Sequence, residues 1–379
     1  MVHKRHSTFN AIALKGLTVL TVLFSSLAGA SASSADIDIS ELQKAAGKGT
    51  ISKEIELAGD YFAGRGVPKD AKMAALWYEK AAESGDPEAE NQIGFLYQTG
   101  SGVPIDMSRA VHWYQLASAS GLALAKVNLG VMYCWGTGVE KDEALGAQLF
   151  REAAEKGSGV GATYLGNMYY FGKGVNQDKT VAESWYNLGV KRHEPMAEYN
   201  LGSLLTMNRD HVRSLEQGAS LLRQSAGAGF VPAMHSLGLL LTRHPDLSNS
   251  PDEARTMLEA AANAGWWRAS VVLGIMARDA VGDPTNSESA FYHFQIAILQ
   301  GGEQARLLLA KDLNVLSEKM TEERRSELTS DANSWFSQHK ATLGFMFKEN
   351  EHAKRFPASA LTVPSEDVHA GSLLPTPPS

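Results

Sequence analysis

Residues 89–121 read AENQIGFLYQTGSGVPIDMSRAVHWYQLASASG, and this pattern returns along the chain at a fixed spacing of 36 residues. Ile93-Gly94-Phe95-Leu96-Tyr97 is followed by Gly100-Ser101-Gly102-Val103, Asp106, Ala110, Trp113-Tyr114, Ala117 and Gly121. One step on come Leu129-Gly130, Tyr133, Gly136-Thr137-Gly138-Val139, Asp142, Leu149-Phe150 and Gly157. The next step gives Leu165-Gly166, Tyr169, Gly172-Lys173-Gly174-Val175, Asp178 and Trp185-Tyr186. Ala89, Ile93, Leu96 and Tyr97 fall on one face of a helix, and Ala110, Trp113, Tyr114 and Ala117 on one face of a second. The Gly-x-Gly between them supplies positive φ for a tight reversal, and a closing glycine suits the left-handed position after a helix end. The unit is an antiparallel helix pair.

The position before the second helix reads Asp70, Asp106, Asp142, Asp178, Ser214, Ser250 and Asn286, all side chains able to cap free backbone N–H groups. Pro251 then falls at the first helical position, where its missing donor is harmless. A position in the first helix reads Ala58, Gly94, Gly130, Gly166, Gly202, Gly238, Gly274 and Ala310. Glycine inside a helix costs roughly 1 kcal/mol relative to alanine. Its recurrence predicts a close helix contact there, expected between neighbouring units.

The pattern, A-x3-LG-x-LY-x2-G-x-GV-x2-D-x3-A-x2-WY-x2-AA-x2-G, resembles the Sel1-like repeat, a 36-residue relative of the tetratricopeptide repeat, over residues 50–320. The resemblance implies an all-α, right-handed superhelical solenoid of about eight antiparallel helix pairs, each unit burying its apolar face only against neighbours. It also implies a non-enzymatic adaptor or scaffold that binds another protein or an extended peptide and needs no cofactor.

Residues 1–32 read as a secretory signal peptide: Lys4, Arg5 and Lys15, the apolar run from Leu17 to Leu27, then Ala28-Gly29-Ala30-Ser31-Ala32. The run is shorter than the roughly 20 residues that span a bilayer, so stable membrane insertion after cleavage is not expected. Its removal takes the formal net charge from −7 to −10, which argues against a nucleic-acid partner. Cys134 is the only cysteine and cannot form an internal disulfide. This departs from the cysteine-rich secreted branch that the resemblance brings to mind, and weakens any β-lactam-binding or hydrolase role taken from it.

Residues 33–49 read as an amino-terminal capping half-repeat, because Leu42, Ala45-Ala46 and Gly49 lie 36 residues before Tyr78, Ala81-Ala82 and Gly85. The first four units keep Gly64, Gly100, Gly136 and Gly172; the next three carry Asn208, His244 and Ala280 there, so their interhelix loops should differ in shape. Residues 303–316 resemble another first helix. Residues 321–346 read as a carboxyl-terminal capping helix with Thr321 as its cap, and residues 347–379, rich in proline, as a disordered tail.

No catalytic constellation stands out. His193-Glu194 opens like a zinc-protease H-E-x-x-H, but Ala197 occupies the second histidine's place. Gly157 to Thr163 resembles a phosphate loop without its lysine. His112, His235 and His293 occupy different positions of the unit and form no ladder of metal ligands.

Recognition by such an array falls on the surface where first helices converge, in the slots Gln98-Thr99, Cys134-Trp135 and Tyr170-Phe171. Trp135 and Phe171 are equivalent positions in adjacent units; they either grip a partner or fill the groove between pairs. Trp266-Trp267 lies in a turn between units and is either an interaction patch or a staple of that turn. The expectation is an exported adaptor, periplasmic or secreted, serving an envelope signalling or secretion complex or acting on a host cell. Its rival is a glycan or cell-wall binding protein, with or without weak hydrolase activity: aromatics with interleaved Asp, Asn and Gln would favour the rival, whereas an apolar or Arg-rich groove favours peptide.

Overall fold

The computed structural model describes residues 39–207, 212–280 and 285–353. The expected signal peptide, Asn208 and the segment after residue 353 lie outside them. Every described regular element is helical, and no described helix is long and apolar enough to cross a membrane. The chain divides into two compact units, one ending at Glu194 and the other resuming at Pro195.

In the first, α1 (Ile39–Gly47) precedes four pairs: α2 (Ile51–Ala63) with α3 (Ala71–Glu83), α4 (Pro87–Thr99) with α5 (Met107–Ala119), α6 (Ala123–Trp135) with α7 (Glu143–Glu155), and α8 (Gly159–Phe171) with α9 (Lys179–Val190). Leu42 and Ala46 of α1 pack with Leu57, Tyr61 and Trp77, so the half-repeat covers the first pair. The second unit continues with α10 (Pro195–Met207) and α11 (Val212–Gly227), α12 (Val231–Arg243) and α13 (Glu253–Asn263), then α14 (Trp267–Asp279). Next comes α15 (Thr285–Glu318), broken at Gly302 into helices 285–301 and 303–318, and last α16 (Glu322–Ala353). That final helix runs past residue 346, where the motif suggested an end.

Local chemistry sets the helix ends of the first unit. Asp70 accepts from the backbone N–H groups of Lys72 and Met73, Asp106 from Arg109, Asp142 from Leu145, and Asp178 from Thr180 and Val181. The series stops there. Ser214 and Asn286 lie inside their helices, and α13 starts at Glu253 behind Asp252, which makes no side-chain cap, so Pro251 sits in the preceding turn. The α12–α13 connection carries a short 3-10 turn, Pro245–Leu247, and α13 starts three residues after Ser250, at Glu253.

The first-helix glycines also pack differently from expectation. A methyl group on Gly94 would lie 2.9 Å from Cε1 of Tyr114, and one on Gly274 2.4 Å from Cε1 of Phe294. These contacts join the two helices of one pair, because the aromatic ring of the second helix needs the space a side chain would fill. Neighbouring pairs meet instead at the second loop glycine: a methyl on Gly102 would lie 1.9 Å from the carbonyl oxygen of Ala71. A second clasp between pairs is polar. Tyr61 accepts from Gln43, Tyr97 donates to Glu79, Tyr133 accepts from Gln115 and Tyr169 accepts from Arg151, always 18 residues apart. Leu205, Leu241 and Ala277 occupy the tyrosine position further on, so this clasp belongs to the first unit alone.

Within pairs, one ion-pair site recurs with its signs exchanged. Glu54 meets Lys80 at 2.7 Å, and Lys126 meets Glu152 at 2.5 Å two units later. Between them Glu90 is buried opposite the periodic place of Leu116, and its Oε2 has no hydrogen-bond partner. Burial, reinforced by Asp86, holds the Glu90 carboxyl above its usual range. The charged form is therefore disfavoured in the folded chain, and stability falls as pH rises through the ordinary value of 4.5. Leu116→Lys is expected to raise stability by about 1 kcal/mol at neutral pH, the scale of a half-exposed pair, with the gain disappearing in acid. Urea denaturation at two pH values tests this; an equal gain at both would refute the pairing.

Candidate interaction surface

Trp135 closes α6 and Tyr170-Phe171 closes α8, where Gly136 and Gly172 take left-handed conformations and end each helix. All three aromatic side chains are half-buried. The ring of Phe171 meets that of Tyr170 edge-on, with centroids 4.9 Å apart. The ammonium of Lys173 lies 5.5 Å from the Trp135 ring centroid, and that of Lys179 5.5 Å from the Tyr170 centroid. A cation over an aromatic face is attracted by the ring quadrupole, worth about 0.5–1 kcal/mol at exposed sites. The two lysines make this edge of the first unit aromatic and cationic together. The sequence shows Lys173 inside the loop Gly172-Lys173-Gly174, but nothing in the spacing announces that its amine reaches back to the preceding unit.

Of the other slot residues, Gln98 and Cys134 turn inward, while Thr99 is half-buried. Gln98 is buried and accepts a 2.6 Å hydrogen bond from the Tyr114 hydroxyl. Cys134 is buried beside Met168, and burial pushes its thiol up to about 12, so it is neither exposed nor nucleophilic. Asn128 donates to Asn91 at 2.9 Å, and Tyr186 donates to Asn167 at 2.7 Å. First helices are surrounded by helices on nearly every side, so most of their polar residues bridge within the stack. Such residues are indistinguishable in a one-dimensional pattern from solvent-facing ones.

Trp266 and Trp267 do not form one patch. Trp267 packs on Gly301, where a methyl group would lie 2.8 Å from its Cγ, and the Arg268 guanidinium lies 5.3 Å from its ring centroid. Trp266 turns toward the preceding first helix, its ring 6.1 Å from that of His235. Both are half-buried. His235 is buried, and burial with the nearby Arg268 lowers its pKa to about 3. His112 is exposed, and His293 is lowered to about 4 by burial and by Arg255.

The near-motifs resolve into turn chemistry. His193 stands where other units have the closing glycine and takes a positive φ of 54°, unlike a zinc ligand on a helix face. Ser158 caps α8 by accepting from Gly161, and the Thr163 hydroxyl donates to the carbonyl of Gly159 at 2.8 Å, so neither is presented to a phosphate. Among the described residues no group of three His, Cys, Asp or Glu side chains is placed to hold a metal ion.

The Sel1 repeat family model matches residues 54–86, 87–122, 123–158, 160–192, 231–266 and 273–302. The pair α10–α11 lies outside those matches yet keeps the two-helix form. No curated protein matches the chain. Among solved structures, c5321, described as a protective antigen present in uropathogenic Escherichia coli strains and displaying an SLR fold, is 24% identical with a TM-score of 0.57. That likeness covers 88% of this chain and 70% of c5321, and bears on fold alone. A Sel1 repeat protein from Oxalobacter formigenes is 28% identical with a TM-score of 0.50, covering 56% of this chain and 85% of its own. With six family matches across more than half its length and stacked helix pairs to correspond, the chain belongs to the Sel1 repeat family.

Proposed function

We propose that this protein is an exported, non-enzymatic adaptor that holds another protein or an extended peptide along the Trp135, Tyr170 and Phe171 edge of its first unit. Sel1 repeat proteins are in general protein-interaction scaffolds, and the stack supplies a rigid series of equivalent positions. The observation that carries the reading is the pairing of half-buried aromatics with Lys173 and Lys179. Half-buried aromatic rings are already ordered, so a partner gains contact area at little entropic cost. The lysines would favour apolar segments carrying acidic side chains. A sugar site would instead interleave the rings with exposed carboxylates and amides; here Gln98, Asn128 and Asn167 are buried, and the exposed Gln177 is engaged in donating to the Tyr170 carbonyl oxygen.

The test is crosslinking with mass spectrometry in the native compartment, comparing the wild type with Trp135→Ala/Phe171→Ala and Trp266→Ala/Trp267→Ala. Loss of a partner only with the first variant, at unchanged helicity and with affinity at least about 30-fold weaker as expected for two anchors, supports the assignment. Recovery of cell-wall glycan without protein would instead establish the rival reading.

A further inference from the structure

In the first unit one place on each first helix is matched with a place on the second helix 26 residues on. The series reads Glu54 with Lys80, Glu90 with Leu116, Lys126 with Glu152, and Ala162 with Leu188. Charge meets opposite charge, or apolar meets apolar, except where Glu90 stands against a leucine.

The first pair shows what this place is shaped to hold. The Lys80 ammonium lies 2.7 Å from Oε1 of Glu54, donates at 3.2 Å to the carbonyl oxygen of Ala46, and sits 4.9 Å from the Trp77 ring centroid. A carboxylate, a carbonyl in the last turn of a helix and an aromatic face each attract a cation. One repeat on, the same three groups return as Glu90, the Ala82 carbonyl and Trp113. Ala82 lies in the last turn of α3 as Ala46 does in α1. Glu54 and Glu90 are 1% and 5% exposed, and the indole Nε1 atoms of Trp77 and Trp113 are both buried without a hydrogen-bond partner. Only the amine differs. Leu116 replaces Lys80 and is 39% exposed, Oε2 of Glu90 has no hydrogen-bond partner, and the charge that bears on this carboxyl, Asp86, has its own sign. An unpaired buried carboxyl costs stability, and a repeat that departs from its own rule at one place without compensation points to a use.

We propose that Glu90, the Ala82 carbonyl and Trp113 form a binding site for a primary ammonium, the side chain of a lysine on a partner protein. Leu116 is the side chain such a ligand moves aside, and its outer part already meets solvent. Lys80 supplies the reason for lysine: it reaches the equivalent buried carboxylate on a four-carbon stem. Glu90 lies in the first turn of α4, whereas Trp135 closes α6, so this site is separate from the aromatic edge and does not rest on it.

The test is a nuclear magnetic resonance titration of the full chain with the blocked peptide Ac-Ala-Lys-Ala-NH2, and separately with n-butylammonium, at neutral pH. The peptide should shift the Glu90 carboxyl carbon and the Trp113 indole N–H saturably. Glu90→Gln should weaken its binding by about tenfold or more, the scale of one charge-assisted hydrogen bond. Leu116→Lys, which supplies the amine from within, should do the same, and because residue 116 is half-exposed this variant keeps its helicity. Absence of a saturable shift in the wild type, or unchanged affinity in Leu116→Lys, overturns the proposal. Binding of n-butylammonium tighter than that of the peptide overturns the choice of a protein side chain as the occupant.

Discussion

Gly102→Ala should lower stability by about 3–5 kcal/mol, while Gly85→Ala, at an equally left-handed backbone, should cost only about 1 kcal/mol. Both glycines have positive φ, 79° and 83°, so the conformational penalty of a side chain is shared. Their surroundings are not. Nothing lies within 4 Å of a methyl on Gly85, whereas one on Gly102 would sit 1.9 Å from the Ala71 carbonyl oxygen and 2.3 Å from its carbon. Backbone cannot rotate aside as a flexible side chain can, so the α4–α5 loop would have to lift from the start of α3. Gly138 against Met107 and Gly174 against Glu143 repeat this contact, and alanine there should behave as at Gly102. Denaturant titration followed by circular dichroism provides the comparison. Equal losses at residues 85 and 102 would mean that the backbone conformation alone is at stake.

Acidification should destabilise the second unit through His235 by on the order of 4 kcal/mol between pH 6.5 and about 3, given the lowering of its pKa from 6.5 to about 3. The sign follows from which state binds the proton. The folded chain holds His235 neutral because the ring is buried and Arg268 lies near, whereas the unfolded chain protonates it at the ordinary value. Stability is thus complete above pH 6.5 and lost as pH falls toward the folded value. His293, lowered to about 4, adds in the same direction. His235→Leu removes the titrating ring from a position filled by Tyr199 and Val271 in neighbouring pairs, and should flatten the acid dependence. Hydrogen exchange across α12 and α14 localises the effect. Parallel pH profiles for wild type and variant would refute it.

Much of the fold was legible because a repeat states its own rules several times. Helix type, the loop glycines and the four aspartate caps depend on residues near one another in sequence, and the spacing displays them. The cap series failed at Ser214, Ser250 and Asn286 for the same local reason it had succeeded: a cap acts only where the helix starts, and Ser214 and Asn286 lie inside their helices while Ser250 lies ahead of its own. The first-helix glycines were read as a contact between units, although Gly94 faces Tyr114 of its own pair. Periodicity marks that a close approach exists without saying which neighbour approaches. Of the candidate site, the aromatic row was visible at Trp135 and Phe171. Its lysines, and the inward turn of Gln98 and Cys134, were not.

By itself the sequence determined the array: a 36-residue pair of amphipathic helices, ended by glycines and started by aspartates, because these are short-range interactions repeated in register. Only the tertiary structure decided which faces remain open. First helices are enclosed by their neighbours, so polarity does not tell Asn167, wholly buried, from a solvent-facing residue, nor does apolarity tell Leu307, largely exposed, from a core leucine. Burial is set by what stands on the other side of a residue, and in a solenoid that is the next unit or its absence.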